Sequence, residues 1–366
     1  MATAATMGLL SICAIPSILN ILSGTGRSNS PYTAYKRYSS TFMHMLSWFN
    51  HELKPGSPSW KSLLTVRTRH LKAGKAARLK KKGTICQRDL SLTSFAAVGL
   101  IFVKPDQFSI RPLQEGDWEA YNHVFRVFGY MLGIQDRYNI CRETFEETRE
   151  ICTMVMDRVF TPCLENVPEY FEHMIHVTVE GLQCLTPSIE KTSLIYFTKY
   201  IANVPGYIYT EQDRLDFQAK LKKHLKGKSE EFGVKSTELM EKYPFEASPN
   251  TKPRNIYFHD YDSLDKVPAY KNLPFIGKYK LGLFMWAFAF YNNILGRILL
   301  NLYYRWMLFL GQYFPYIAMW RYGISNSFVN MFKEDPLDNT IPKRNSEYYK
   351  AQITKTWYRN IIDILW

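Results

Sequence analysis

The sequence contains few cysteines for its length, and none of them stands in a C-x-x-C pair. They are Cys13, Cys86, Cys141, Cys152, Cys163 and Cys184. Six cysteines are too few to build a disulfide framework in a chain of 366 residues, so we expect free thiols in a reducing environment. A chain of this length buries a hydrophobic core without covalent staples.

The motifs of several common catalytic and nucleotide-binding sites are also missing. The sequence has no G-x-G-x-x-G, no G-x-x-x-x-G-K-[ST], no G-x-S-x-G and no H-E-x-x-H. No histidine has a glutamate three residues before it, although the helical bundles that hold two iron ions need that spacing twice. These absences argue against dinucleotide-binding, P-loop, hydrolase, zinc-protease and di-iron functions.

Acidic residues are fewer than basic ones, 33 against 46, and the formal net charge is +13. Together with an aromatic content of 15%, this charge suits nucleic acid or an anionic membrane surface. The segment from Lys54 to Arg88 has eleven basic residues and no acidic one. No zinc-finger or RRM signature accompanies it, so we predict no nucleic-acid partner. A solvated basic loop and a segment attracted to a membrane surface remain open.

Strand signals are scarce, and apolar residues recur at helical spacing, so the sequence predicts an all-α fold. Thr144 and Glu147 have the spacing of a capping box at the start of one helix. The apolar run 7–22 is interrupted by Pro16, so we interpret it as a buried helix pair or an interfacial segment, with a membrane anchor as the alternative. The other predicted helices cover residues 35–53, 60–79, 84–103, 119–132, 144–160, 168–185 and 189–201.

The C-terminal part has an aromatic-rich segment with few charges. Residues 281–331 carry only three charged side chains, all arginines. The uncharged runs 281–296 and 306–320 are each short of a membrane span. Interfacial or re-entrant insertion, two spanning helices and an aromatic soluble core are the alternatives. We divide the chain into a helical domain (1–215), a charged and proline-rich connecting arm (216–274) and aromatic, membrane-associated helices with a tail (275–366).

Two groups of histidines and arginines deserve a functional interpretation. His173 and His176 lie three residues apart, but a lone pair without further ligands is typical of a structural role. His70 follows an arginine in a V-R-x-x-H pattern, so Arg67 and His70 share a helix face. On the preceding helix Arg37 and Thr41 share a face, and Arg37 lies 33 residues before the histidine.

Further motifs follow in a fixed order. After His70 comes a Q-x-D-x-x-x-T-x-F pattern from Gln87 to Phe95, and then G-x-x-L-G-I-x-D-R from Gly129 to Arg137, with Cys141 shortly after it. This ordered set resembles the mpaB and rubber-oxygenase (latex-clearing protein) family, especially its insect members. The resemblance covers about residues 8–210.

The resemblance implies a helical bundle that binds haem b. The axial histidine of the family maps onto His70, which would ligate the iron, and the R-x-x-x-T pair maps onto Arg37 and Thr41 as catalytic residues beside the haem. Arg67 and Arg37 would help to bind the cofactor. The implied reaction is cleavage of an isoprenoid C=C bond by dioxygen at a membrane, and the endoplasmic reticulum is the implied location.

The sequence also departs from the family pattern. The residue after the histidine is Leu71 where the family usually has alanine, and Ser40 stands where the rubber-cleaving members have a lysine. The position of their glutamate base falls near Ile21, and the first acidic residue of this chain is Glu52. The short N-terminus would fit a missing upstream segment. Two alternatives therefore stand beside an active oxygenase: a non-catalytic protein that binds haem or lipid, and a basic protein of membrane surfaces without a cofactor.

Overall fold

The computed structural model describes residues 2–204 and 268–349. Within these ranges the regular structure is helical and no strand is present, so the predicted all-α class is confirmed. Most of the predicted connecting arm, 216–267, lies outside the described residues. The helices fall close to the sequence-based boundaries because apolar spacing, proline and capping residues mark both ends of most of them.

The helix bounds are as follows. In chain order the helices are α1 (Ala2–Ile12), α2 (Pro16–Gly24), α3 (Pro31–Asn50), α4 (Pro58–Leu79), α5 (Gln87–Val103), α6 (Asp117–Leu132), α7 (Phe145–Val155), α8 (Thr161–Glu165), α9 (Phe171–Leu182), α10 (Lys191–Ile201), α11 (Pro268–Lys271), α12 (Phe275–Tyr291), α13 (Ile294–Tyr313), α14 (Tyr316–Tyr322), α15 (Ile324–Ser327) and α16 (Asn345–Tyr349). A π-helical turn, Met156–Phe160, joins α7 to α8.

Side-chain caps fix the starts of the helices that later enclose the site. Ser30 accepts a hydrogen bond from the backbone N–H of Thr33 before α3, and Ser57 accepts one from Trp60 before α4. Each cap is followed by proline, which suits the first helical position because its missing N–H would be unpaired there. The predicted cap at Thr144 is also present and accepts from the backbone of Glu147.

The N-terminal apolar run folds as the predicted buried helix pair. α1 packs along α5, and Met7, Leu10 and Leu19 are buried in the main core. A bend of 92° separates the two helices at residues 13–15. Among the described residues no single helix has both the length and the apolar composition of a membrane span, whereas the bent pair 3–12 and 16–24 meets these criteria jointly.

The C-terminal helices differ sharply in how much of their surface is covered. α12 packs on α10 and contributes Leu281 to the main core. α13 leaves large apolar side chains in solvent along its length, among them Ile298 at 53%, Leu302 at 56% and Trp306 at 58% exposure. An apolar helix that is exposed on most sides lacks the polar face of an ordinary surface helix.

After α13 the chain returns to the helical body. α14 packs through Ile317 and Ala318 beside Tyr35 of α3. Residues 328–341, which we call the strap, then run without helix past Lys36 on α3 and past Arg69 and Lys72 on α4, and α16 docks on α9. The last described part of the chain therefore belongs to the same packed body as the first.

Gly8 marks the closest approach of two core helices. A Cβ atom built on Gly8 would overlap the backbone carbonyl of Ala96 in α5. We expect Gly8→Ala to lower the free energy of unfolding by about 1–3 kcal/mol because α1 must shift away from α5. Chemical denaturation followed by circular dichroism checks this. Gly282→Ala is the control, since a Cβ there meets no atom within 4 Å; equal effects of the two substitutions would contradict the close packing.

Candidate functional site

A cavity of about 540 Å³ lies between helices α1 to α6 and the strap. This volume is in the range of roughly 300–1,000 Å³ typical of sites for small organic ligands. Most of its wall is apolar. Its large apolar lining residues are Leu9, Ile12, Ile21, Tyr38, Phe42, Met45, Trp48, Val66, Leu90, Phe125, Phe128, Leu132, Ile134 and Leu337.

Three of the four predicted site residues line this one cavity. Arg37 and Thr41 reach it from α3, and His70 reaches it from α4. The fourth, Arg67, is not among the lining residues; its guanidinium donates to the carbonyl of Met131 at 3.3 Å, at the end of α6. Arg67 therefore joins α4 to α6, and nothing in its position connects it with a ligand in the cavity.

His70 presents an imidazole without a hydrogen-bond partner at one ring nitrogen. Its Nδ1 is buried and, among the described residues, unpaired. Burial, with a smaller contribution from the nearby Arg37 guanidinium, lowers the pKa of His70 to about 4. The ring is therefore neutral at physiological pH, and neutral imidazole is the form that binds metal.

Arg37 and Thr41 are held by local hydrogen bonds. The Arg37 guanidinium donates to Thr25 Oγ1 at 3.2 Å and to Ser28 Oγ at 3.3 Å, which fixes it between α2 and α3. Thr41 Oγ1 donates to the carbonyl of Arg37, one turn earlier, at 3.0 Å. One turn of α3 thus presents a fixed cation and a hydroxyl to the cavity.

The structure also brings the later sequence motifs together. The Gln87 side chain accepts from the backbone N–H of Gln135 at 2.8 Å and donates to the carbonyl of Gly133 at 3.0 Å. From the same two motifs, Thr93 and Gly129 line the cavity. The glutamine motif therefore fastens α5 to the turn after α6, and both segments contribute to the wall.

His44 is a cavity residue that the sequence analysis missed. Arg69 Nη1 lies 3.4 Å from its Nε2. Its Nδ1 lies 2.7 Å from Ser62 Oγ, which accepts a hydrogen bond from Trp48 Nε1 at 2.7 Å. Burial, reinforced by Arg69, lowers the pKa of His44 to about 4. The cavity wall therefore contains a second neutral imidazole.

Arg69 is the other residue that the pattern did not reveal. Its Nη2 donates to the carbonyls of Met331 at 2.8 Å and Lys333 at 2.6 Å, both in the strap. Its Nη1 also donates to Ser40 Oγ at 3.3 Å. Backbone carbonyls carry no residue-type signal, and those of the strap lie far from α4 in the sequence. No motif therefore marks this contact, and only the folded chain shows it.

The structure shows where the residues that depart from the family pattern lie. Ile21 lines the cavity, so its wall is apolar there. Leu71 is 68% exposed and points away from the core. The carboxylates that line the cavity, within the part of the chain that the structure describes, are Glu334 and Asp335 of the strap.

The predicted structural role of His173 is also visible. Its Nε2 donates to the carbonyl of Asn29 at 2.9 Å, and its Nδ1 accepts from the Tyr348 hydroxyl at 2.9 Å, so both ring nitrogens are used. His176 pairs with Glu180 at 3.2 Å. In residues 2–204 and 268–349 no group of three or more His, Cys, Asp or Glu side chains is arranged to hold a metal ion.

Comparisons with protein-family models, with curated proteins and with solved structures find no match to this chain. The family resemblance therefore rests on the ordered motifs alone.

The two cavity imidazoles with lowered pKa values predict a pH dependence of stability. With folded pKa values of about 4 for His44 and His70 against an ordinary value of 6.5, the unfolded chain binds more protons between these limits. We expect stability to fall as the pH is lowered from 6.5 towards 4. Denaturation midpoints measured across this range should fall less in the double variant His44→Gln, His70→Gln than in the parent. The exposed His123→Gln is the control; a double variant that follows the parent curve would contradict the assignment.

Proposed function

We propose that the protein binds haem b in the cavity, with His70 as the ligand of the iron, and acts at a membrane as an oxygenase of an apolar isoprenoid or lipid. The observation that carries this proposal is His70 itself, a neutral imidazole that lines a largely apolar cavity. Neutral imidazole is a common ligand of haem iron. One histidine is sufficient here, because the porphyrin supplies four ligands of a haem iron.

The residues present fit such a group. The apolar walls suit a macrocycle, and the fixed Arg37 guanidinium suits a carboxylate at its edge. Bound haem would supply the iron at which dioxygen is activated for cleavage of a C=C bond. The chain itself would orient the ligand, exclude water from the apolar wall and keep the His70 lone pair free by holding the ring neutral.

A non-catalytic haem- or lipid-binding protein is the second candidate function. It is favoured by Ile21, which is apolar where the rubber-cleaving enzymes of the resembled family place their base, and by the strap carboxylate of Glu334, which is paired with Arg27 and Lys72. Oxygen consumption with polyprenyl substrates separates the two candidates. Uptake by the loaded protein favours the oxygenase, and its absence in a protein that retains haem favours the binder.

Membrane attachment through residues 275–332 is part of the proposal. The exposed apolar surface of α13 is its main support, since monomeric soluble proteins rarely expose a contiguous patch of this kind. Arg297 and Arg305 are compatible with an interfacial position, where long side chains reach the headgroups. The family resemblance points to the endoplasmic reticulum. A basic membrane-surface protein without a cofactor would share this attachment but would lack the haem.

His70→Ala tests the haem ligand. We expect the purified variant to lose the Soret band of the parent, because no other residue is assigned as the iron ligand, while circular dichroism stays helical. His123→Ala is the matched control, since His123 is exposed on α6 outside the cavity. A parent without a Soret band after haem reconstitution, or a His70 variant with an unchanged one, would overturn the assignment.

Leu302→Asp with Trp306→Asp tests the membrane surface. Both side chains are mostly exposed, so the fold should tolerate the change, whereas charges in the lipid interface are costly. We expect binding to neutral phosphatidylcholine vesicles, measured by flotation in high salt, to fall about tenfold or more. Leu113→Asp, at a position that is 85% exposed and precedes α6, should leave binding unchanged. Equal binding of all three proteins would exclude α13 as the attachment surface.

A further inference from the structure

Basic side chains are concentrated around an otherwise apolar cavity. Arg27, Arg37, Arg69, Lys72 and Lys80 all line it, against the two carboxylates of Glu334 and Asp335. The lining therefore has a formal excess of three positive charges at neutral pH, where His44 and His70 are uncharged. Walls of low dielectric strengthen the effect of such charges on a ligand.

Two of these cations already hold a carboxylate that belongs to the chain. Glu334 of the strap accepts from Arg27 Nη2 and from Lys72 Nζ, each at 3.0 Å. These hydrogen bonds, that of Lys72 first, lower the pKa of Glu334 below its ordinary value. The two cations are therefore placed to stabilise a carboxylate anion at the border between the cavity and solvent.

The Glu334 contact is open to exchange. The side chain of Glu334 is 58% exposed and that of Lys72 is 68% exposed, and ion pairs at such positions contribute little to stability. The backbone of the strap has further contacts: Arg69 donates to the carbonyls of Met331 and Lys333, Arg27 Nη1 donates to the carbonyl of Asp335, and the backbone N–H of Asp338 donates to Gly26 at 2.8 Å. Glu334 can thus leave its partners while these contacts hold the strap.

We infer that Arg27 and Lys72 form a binding site for the carboxylate of an amphiphile whose apolar part lies in the cavity, and that Glu334 occupies this site when the amphiphile is absent. Glu334 acts as an internal competitor, so its release accompanies ligand binding. The inference concerns the same cavity as the proposed haem site but does not require iron or His70.

Dodecanoate and 1-dodecanol test the carboxylate site, because they share the chain and differ in charge. Each displaces the fluorescent probe N-phenyl-1-naphthylamine from the full-length protein in nanodiscs of neutral phosphatidylcholine, with empty nanodiscs as the blank. We expect the parent to prefer dodecanoate. Glu334→Gln should tighten the binding of dodecanoate by roughly two- to fivefold, the range for an exposed ion pair. It should leave the affinity for dodecanol unchanged.

Further variants complete the test. Arg27→Gln combined with Lys72→Gln should reduce the affinity for dodecanoate to that for dodecanol. Glu143→Gln is the control for Glu334→Gln, because Glu143 is an exposed glutamate that pairs with Arg126 at 3.5 Å away from the cavity lining. If Glu334→Gln tightens acid and alcohol equally, the strap is a simple steric cover and the carboxylate site is refuted.

Haem b and its dimethyl ester distinguish the source of the carboxylate. If the Arg27 and Lys72 variants weaken the binding of haem b but not that of its ester, while dodecanoate and dodecanol bind with equal affinity, the site takes the propionates of the cofactor. If the variants weaken dodecanoate alone, the site takes a lipid carboxylate. If the protein binds dodecanoate no more tightly than dodecanol, and haem b no more tightly than its dimethyl ester, the inference is wrong, whether or not His70 binds iron.

Discussion

The guanidinium of Arg69 joins three of the parts of the chain that enclose the cavity: α3, α4 and the strap. It stands on α4, and its nitrogens reach Ser40 and His44 on α3 and two carbonyls of the strap. Because arginine keeps its charge, it also adds to burial in lowering the pKa of His44. A lysine has a single donor nitrogen and cannot span these partners at once.

The sequence predicts where the site lies better than it predicts which residues line it. Helices α3 and α4 are joined by a short connection, Ser30 and Ser57 cap them, and apolar spacing sets their inner faces, so Arg37, Thr41 and His70 meet in one cavity. Arg67 shows the limit of the spacing rule. It shares a helix face with His70, but its long side chain extends to the end of α6 and away from the cavity.

Other features could not be predicted, for a physical reason. Arg69 contacts backbone carbonyls 262 and 264 residues further along the chain, and every residue carries such an acceptor, so no pattern marks the ones used. His44, Ser62 and Trp48 form a network whose members come from two helices with no characteristic spacing between them. The resemblance to an oxygenase family directs attention to His70, whereas the second neutral imidazole appears only once the helices are packed.

The exposed helix α13 and the strap belong to one C-terminal stretch. The two helices between them, α14 and α15, are attached to the helical body. In α14 Arg321 donates to the Glu180 carbonyl at 2.9 Å and to Gln183 Oε1 at 3.2 Å, and at the end of α15 the Ser327 carbonyl accepts from the Tyr35 hydroxyl. These contacts fix α14 and α15 to α9 and α3. A shift of α13 is therefore not passed freely to the strap. The strap itself leaves Phe328 and Phe332 about half exposed and Leu337 and Ile341 mostly exposed, so its polar contacts supply much of its attachment over the cavity. Under the proposal that α13 lies at a membrane and that the cavity takes a charged ligand, this ligand could exchange beneath the strap while α13 stays in place.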